Sequence, residues 1–306
     1  MSNLEKITMQ TRGTFKLNNE ILTPPIPLQV ATQIGMLEYE NENLRDAPDK
    51  SAVVVLSFGT TYQDSLEKNI LATVNTLQNA FKGVCNALSF TSHIVIKRIT
   101  ENAGFCPYSA PEETLEKLLR EGFTKIALVP LAIIPGLEYK YDVAIFHEYK
   151  THFKKMTLAT PLMYWQGQEN FPDDISEVMA ALDLPAQEKG TAILLMAHGT
   201  PDPSNAYYSV MQEKIQRDDV FIYTVEGYPL LENLLPKLKN FSKVILKPLM
   251  LVAGDHANND MAGEHKNILT RAGFNVEIQM QGLGENPKIR EIYLKRARQA
   301  FDALNK

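Results

Sequence analysis

Cysteine is scarce in this chain: only Cys85 and Cys106 occur among 306 residues, and neither belongs to a CxxC pair. That argues against a disulfide framework or a zinc ribbon and fits a reducing cytoplasm. Long apolar runs are missing as well. None reaches the roughly 18 residues a membrane span requires, and the opening MSNLEKITMQTRG lacks the apolar stretch of an export signal. A soluble, cytoplasmic protein with no membrane partner is expected. With 31 basic against 36 acidic residues and a net charge of −5, the chain has no electrostatic footprint for nucleic acid. Familiar catalytic strings are absent too: there is no GxxxxGK[ST] and no GxSxG, and Gly282 and Gly284 in GLGENP lack the third glycine of a dinucleotide fingerprint. No nucleotide cofactor is expected.

What the chain does contain is a 44% hydrophobic composition, enough for one large core or two modest ones. Residues 1–50 are polar, carry the Pro-rich TPPIPL and close on DAPDK, so they read as an extension before the main fold. Within them Gln29–Leu44 has the length of a short helix. From Ser51 onward, β-branched apolar runs bounded by Gly or Pro alternate with segments of helical periodicity. That pattern predicts βαβ units and an α/β fold with parallel sheets flanked by helices. In the first unit AVVVLSFGTTY is a strand and turn followed by a helix from about Gln63 to Phe81. Later come a strand-like ALSFTS, a helix near Pro111–Glu121 with Ser109 as its cap, and the strand KIALVPLAII.

The plan then repeats. TAILLMAHGT echoes AVVVLSFGT with Gly59 and Thr60 matching Gly199 and Thr200 at an offset of 140, and KVILKPLMLVAGDH echoes KIALVPLAIIPGLE at an offset of 118. Two similar α/β halves follow, residues 51–165 and 166–306, with a cleft between them. Ligands of such sheets bind beyond the carboxyl ends of the strands. At those ends the halves differ: Phe58 becomes His198, Ser92 becomes approximately Glu226, and Glu138 becomes His256. Two imidazoles and a carboxylate at three strand ends suit a borderline divalent ion such as Co, Ni, Fe or Zn and leave coordination positions open. Each residue alone has a plainer reading as a hydrogen-bonding group, and only the joint placement marks a site. The remaining histidines are weaker candidates. His147 and His152 stand five apart and do not share a helix face, His265 in GEHKN reads as solvated, and His93 follows a strand end toward the cleft.

The strings LSFGTTYQDSLEKNI, AHGT, VEGYP, PLMLVAGDHANNDMAGE and GLGENPKIR resemble the anaerobic sirohydrochlorin cobaltochelatase family, class II chelatases related to ferrochelatase, over about residues 51–306. The resemblance implies a chelatase fold, a sirohydrochlorin-type tetrapyrrole as partner, and a divalent metal as substrate, cobalt first and iron or nickel as alternatives. It also implies that His198, Glu226 and His256 bind the metal and carry the catalysis. For the carboxylate-rich macrocycle it calls for donors. The turn amides of Gly59, Thr60, Gly199 and Thr200, with His93 and Glu138 and either Lys140 or Lys247, are the expected substrate contacts, and Asp255 is a partner for an imidazole. A non-enzymatic tetrapyrrole- or haem-binding protein on the same fold is the other reading, and a Pro-rich arm is compatible with a homo-oligomer. Two departures stand out. Ala132 occupies a position where the family usually has histidine, which either leaves His93 as its substitute or widens the cleft, and the segment after Met261 is short.

Overall fold

The computed structural model describes residues 7–9, 15–17 and 25–306. A short antiparallel pair, β1 (Ile7–Met9) and β2 (Phe15–Leu17), precedes β3 (Leu37–Glu40). The apolar runs then supply β4 (Ser51–Ser57), β5 (Cys85–Phe90), β6 (Lys125–Pro130) and β7 (Lys155–Leu158), followed in the second half by β8 (Thr191–Ala197), β9 (Val220–Thr224), β10 (Lys243–Pro248) and β11 (Asn275–Ile278). Ala52–Leu56 and Ile126–Val129 are wholly buried. Such continuous runs, in place of alternation, belong to strands covered on both faces.

The first sheet runs β3-β7-β6-β4-β5 and the second β11-β10-β8-β9. Apart from β3, the two orders are the same, with β4 matching β8, β5 matching β9, β6 matching β10 and β7 matching β11. All pairings in the two sheets are parallel except β3 with β7. The expected α/β repeat is therefore realised strand for strand, and helices 63–80 and Ala206–Ile215 follow β4 and β8 in turn.

Several expectations need correction. The stretch 29–44 is not one helix: a helix at Ile26–Ala31 ends before Gly35, at φ +79°, and β3 follows. Leu37 is buried and Tyr39 half-buried while Glu38 and Glu40 point outward, which is the period of two that a strand requires. Part of the stretch expected to precede the fold thus closes an edge of the first sheet. Ser109 does not cap the helix Pro111–Arg120; its carbonyl accepts from Phe90 N–H at 3.0 Å and it bridges alongside β5. At the other end of the chain, helix Pro287–Ala303 crosses back to pack on β6, β7 and helix Ala72–Ala80 of the first half. Thr157 donates to Ala300 O at 2.9 Å and Tyr293 to Leu131 O at 2.8 Å, and buried Arg296 pairs with buried Asp174 at the start of helix Asp174–Leu182. One apolar cluster accordingly runs from Val53 and Val55 of β4 to Ile193 and Leu195 of β8.

The loops at the carboxyl ends of the two sheets meet. Tyr62 donates to Asp255 at 3.0 Å, Ser65 to Ala253 O at 2.8 Å, and Lys140 pairs with Asp202. Among the described residues no helix is long and apolar enough to cross a membrane.

Candidate metal centre

His198 is the first residue beyond β8. The chain must turn sharply there, and Gly199 allows it: its φ is +79°, and a Cβ would lie 2.6 Å from Gly227 N and 2.7 Å from Thr224 Cβ. Val225 N–H bonds to Ala197 O at 3.1 Å and Glu226 N–H to His198 O at 2.7 Å, so the ladder continues past both strands and fixes Glu226 beside His198. Leu249 N–H, bonded to Met196 O at 2.7 Å, sets the register of the third strand. From there the chain reaches His256, at the head of the π-helical turns of Ala257–His265. Such turns commonly mark functional positions.

The three side chains come together. One ligand atom from each of His198, Glu226 and His256 can be chosen so that all lie within 4.8 Å of one another, with both histidine rings 4.6 Å apart at 86°. Two donors on one ion at bonds of about 2.1 Å are at most about 4.2 Å apart, so small side-chain rotations suffice to close on a metal. Hydrogen bonding also selects the tautomers. His198 Nδ1 lies 2.9 Å from Gly199 O and His256 Nδ1 lies 2.6 Å from Asp260 Oδ2. Both partners are acceptors, so Nδ1 carries a proton in each ring, and Nε2 is the nitrogen left to offer a lone pair to an ion. His198 and Glu226 are exposed and His256 is half-buried, so the open side faces solvent and an incoming ligand.

Asp260, one helical turn beyond His256, was not singled out in the sequence. The readable signal was its spacing of four in HANND. Asp255, the expected partner, instead accepts from Tyr62 and from Asn259 Nδ2 at 2.8 Å, a tie between the halves. His265 is not solvated; it is half-buried, lies 3.1 Å from Tyr223 Oη, and burial pushes its imidazole down.

The expected substrate contacts divide. Gly59 has φ +87° with Phe90 packed where a Cβ would be, while Thr60 is buried and its Oγ1 accepts from Tyr62 N–H at 3.2 Å. Thr200 N–H is already given to Asn205 Oδ1 at 3.1 Å, so that amide is occupied. Lys140 is bound to Asp202. Lys247 opens onto a cavity of about 330 Å³ lined by Pro185, Thr191, Ile245, Glu277 and Gln279, none of them part of the triad. His93 is exposed at the start of helix His93–Ala103, 3.2 Å from Tyr141 Oη. Ala132 is 3% exposed within the core of the first half, so it fills the interior and does not widen a cleft.

Glu138 begins helix Leu137–Tyr149, accepts from Phe58 N–H, and is pushed up to about 7 by burial, the main-chain bond opposing this in part. By the repeat it is the counterpart of His256. Around it the carboxyl edge of the first sheet exposes Phe58, Ile94 and Leu137, while Tyr228 and Leu230 are exposed just after Glu226.

Residues 51–302 match the family described as cobalt chelatase (CbiK). The chain is similar to the sirohydrochlorin cobaltochelatase of Salmonella typhimurium, 32% identical over 83% of this chain and 97% of that one. It is also similar to the sirohydrochlorin cobaltochelatase CbiKC of Nitratidesulfovibrio vulgaris, 29% identical over 84% and 92% respectively. Among solved structures, SirB from Bacillus subtilis with Fe3+ shares the fold at a TM-score of 0.57 and 15% identity, covering 84% of this chain and 98% of that one. The resemblance read from the motifs is thus borne out: the chain belongs to the cobalt chelatase (CbiK) family.

Proposed function

We propose that the chain inserts a divalent metal, Co2+ in the first instance, into sirohydrochlorin, with His198, Glu226 and His256 receiving the ion. The observation that carries this reading is the convergence of three ligand atoms within 4.8 Å at the ends of three adjacent strands in a member of the cobalt chelatase family. Two neutral imidazoles and one carboxylate hold a borderline ion without saturating it. Insertion exchanges two pyrrole protons for one divalent cation, so the site needs a base as well as ligands. Glu226 balances the charge of the arriving ion. Glu138, with a carboxyl held near 7, changes protonation at working pH and takes one of the two pyrrole protons, the other passing to solvent water. The exposed Phe58, Ile94, Leu137 and Tyr228 offer apolar area to the flat ring.

The test is anaerobic incubation of protein, sirohydrochlorin and Co2+, following the absorption change on insertion. Acceleration over the spontaneous rate is expected. No acceleration removes the proposal, and parallel reactions with Ni2+ and Fe2+ rank the metals by kcat/KM.

A further inference from the structure

His198 and Glu226 stand on turns that leave two neighbouring strands, and beyond the strand ends the ladder joins those turns only through Val225 N–H and Glu226 N–H. Asn205 adds a second tie, with both ends of its amide in use. Oδ1 accepts from Thr200 N–H at 3.1 Å, two residues past His198, and Nδ2 donates to Tyr228 O at 2.7 Å, two residues past Glu226. The glycines of the two turns pack into the same knot. A Cβ on Gly199 would lie 2.6 Å from Gly227 N, and one on Gly227 would lie 2.2 Å from Asn205 Oδ1. Gly227, unlike Gly199, has no positive φ, so the close approach of Asn205, not backbone conformation, is what calls for glycine there. Asn205 is itself fixed: it ends the turn Pro203–Asn205, bonds through its N–H to Asp202 O at 2.9 Å, and leads into helix Ala206–Ile215, anchored by buried Tyr208 and Met211. In the first half, at the offset of 140 that pairs Gly59 with Gly199, the corresponding residue is Ser65. Its hydroxyl goes to Ala253 O, and Phe90 fills the space beside Gly59. The half without metal ligands therefore lacks the tie.

We propose that Asn205 is a positioning residue for the metal centre, its amide setting the separation of the His198 and Glu226 turns so that both side chains reach one ion; this rests on the triad receiving the metal, as in the reading above. The ligand atoms of the triad lie within 4.8 Å of one another before any ion arrives, so the site is close to its closed geometry. Ligands held in that way bind more tightly than ligands that must first be gathered, because less of the binding free energy goes into ordering them. His198 and Glu226 are both exposed, so packing around their side chains does not fix them, and the main-chain turns that carry them must. Asn205 touches neither side chain of the pair in this role; it acts on the backbone two residues beyond each.

The experiment reaches the tie from both sides. Asn205→Ala removes the amide, and Gly227→Ala keeps it but puts a methyl group where it lies, so the second variant also serves if the first does not fold. Co2+ alone is titrated into each full-length protein by calorimetry, the visible absorption bands of the bound ion are recorded at saturation, and thermal melting is followed alongside. Each variant should weaken Co2+ binding by about tenfold and change the bands. The double variant Asn205→Ala/Gly227→Ala should bind no more weakly than either single one, because a single tie can be lost only once, whereas independent effects would multiply to about a hundredfold. A folded Asn205→Ala variant with unmoved Co2+ affinity and bands refutes the role of Asn205, even if it melts earlier, and multiplying effects refute the shared tie. If His198→Ala binds Co2+ as tightly as wild type, the ion is held elsewhere, and the proposal falls with the triad and not at Asn205.

Discussion

The carboxyl of Glu138 gives a stability signature that is independent of catalysis. Burial raises it from 4.5 to about 7. In the folded state the group holds its proton where the unfolded chain has released it, so stability falls as pH rises through the window between about 4.5 and 7 and is level beyond it. At 1.36 kcal/mol per unit the shift amounts to at most about 3 kcal/mol, and the residual solvent contact of the side chain reduces the expected effect to about 2 kcal/mol. Glu138→Gln cannot ionise and should escape that loss. Urea unfolding at a series of pH values should show the variant and wild type equally stable near pH 4 and the variant more stable by about 2 kcal/mol above pH 7.5. The same substitution should lower turnover by ~10²-fold or more, the scale of a lost acid–base group. A stability difference that does not change with pH would refute the desolvated-carboxyl argument, whatever the activity shows.

The triad makes a parallel demand: His198→Ala and His256→Ala should each lower turnover by at least ~10²-fold and abolish Co2+ binding by calorimetry while circular dichroism stays unchanged. Because Asp260 bonds His256 Nδ1 at 2.6 Å, Asp260→Ala should weaken Co2+ binding by roughly 10–100-fold, and an unaltered titration would show that His256 needs no such partner. Deleting residues 1–45 strips β3 from Met156 and Leu158, so the truncated protein should melt at a lower temperature than full-length protein. An unchanged melting curve would mean that the edge strand contributes nothing.

Much of this was legible in the sequence, and what was not has local physical reasons. The buried parallel strands announce themselves because AVVVL and AILLM are apolar at every position, and the repeat made their order inferable. Comparing the halves position by position singled out the three residues that converge. The comparison worked because a symmetric scaffold puts equivalent residues in equivalent places, so a difference at a strand end stands out from packing. β3 escaped notice because four residues with one fully buried side chain carry little periodicity beside a Pro-rich stretch. The partners of the lysines were not legible because charge alone says nothing of them: Lys140 pairs with Asp202 across the halves. Asp255 and Asp260 flank His256 at one and four residues, and only the helical turn beginning at Ala257 decides which carboxylate reaches the ring.

On the proposed reading, the same repeat lets one scaffold serve two chemical tasks. Both halves bring a strand end and the first turn of the next helix to the meeting line, with an acid one turn further along at Asp142 and Asp260. In the second half the edge positions are the imidazoles of exposed His198 and half-buried His256, which suits a hydrated ion that must be held and released. In the first half the corresponding positions are Phe58 and Glu138, an exposed ring and a desolvated carboxyl. A metal site in that half would have to strip water from both ion and carboxylate, whereas a proton acceptor gains from the same desolvation because its affinity for a proton rises. On the proposed reading, the ion-holding groups and the proton-accepting group lie in different halves, and the buried environment that favours one would disfavour the other if they exchanged places.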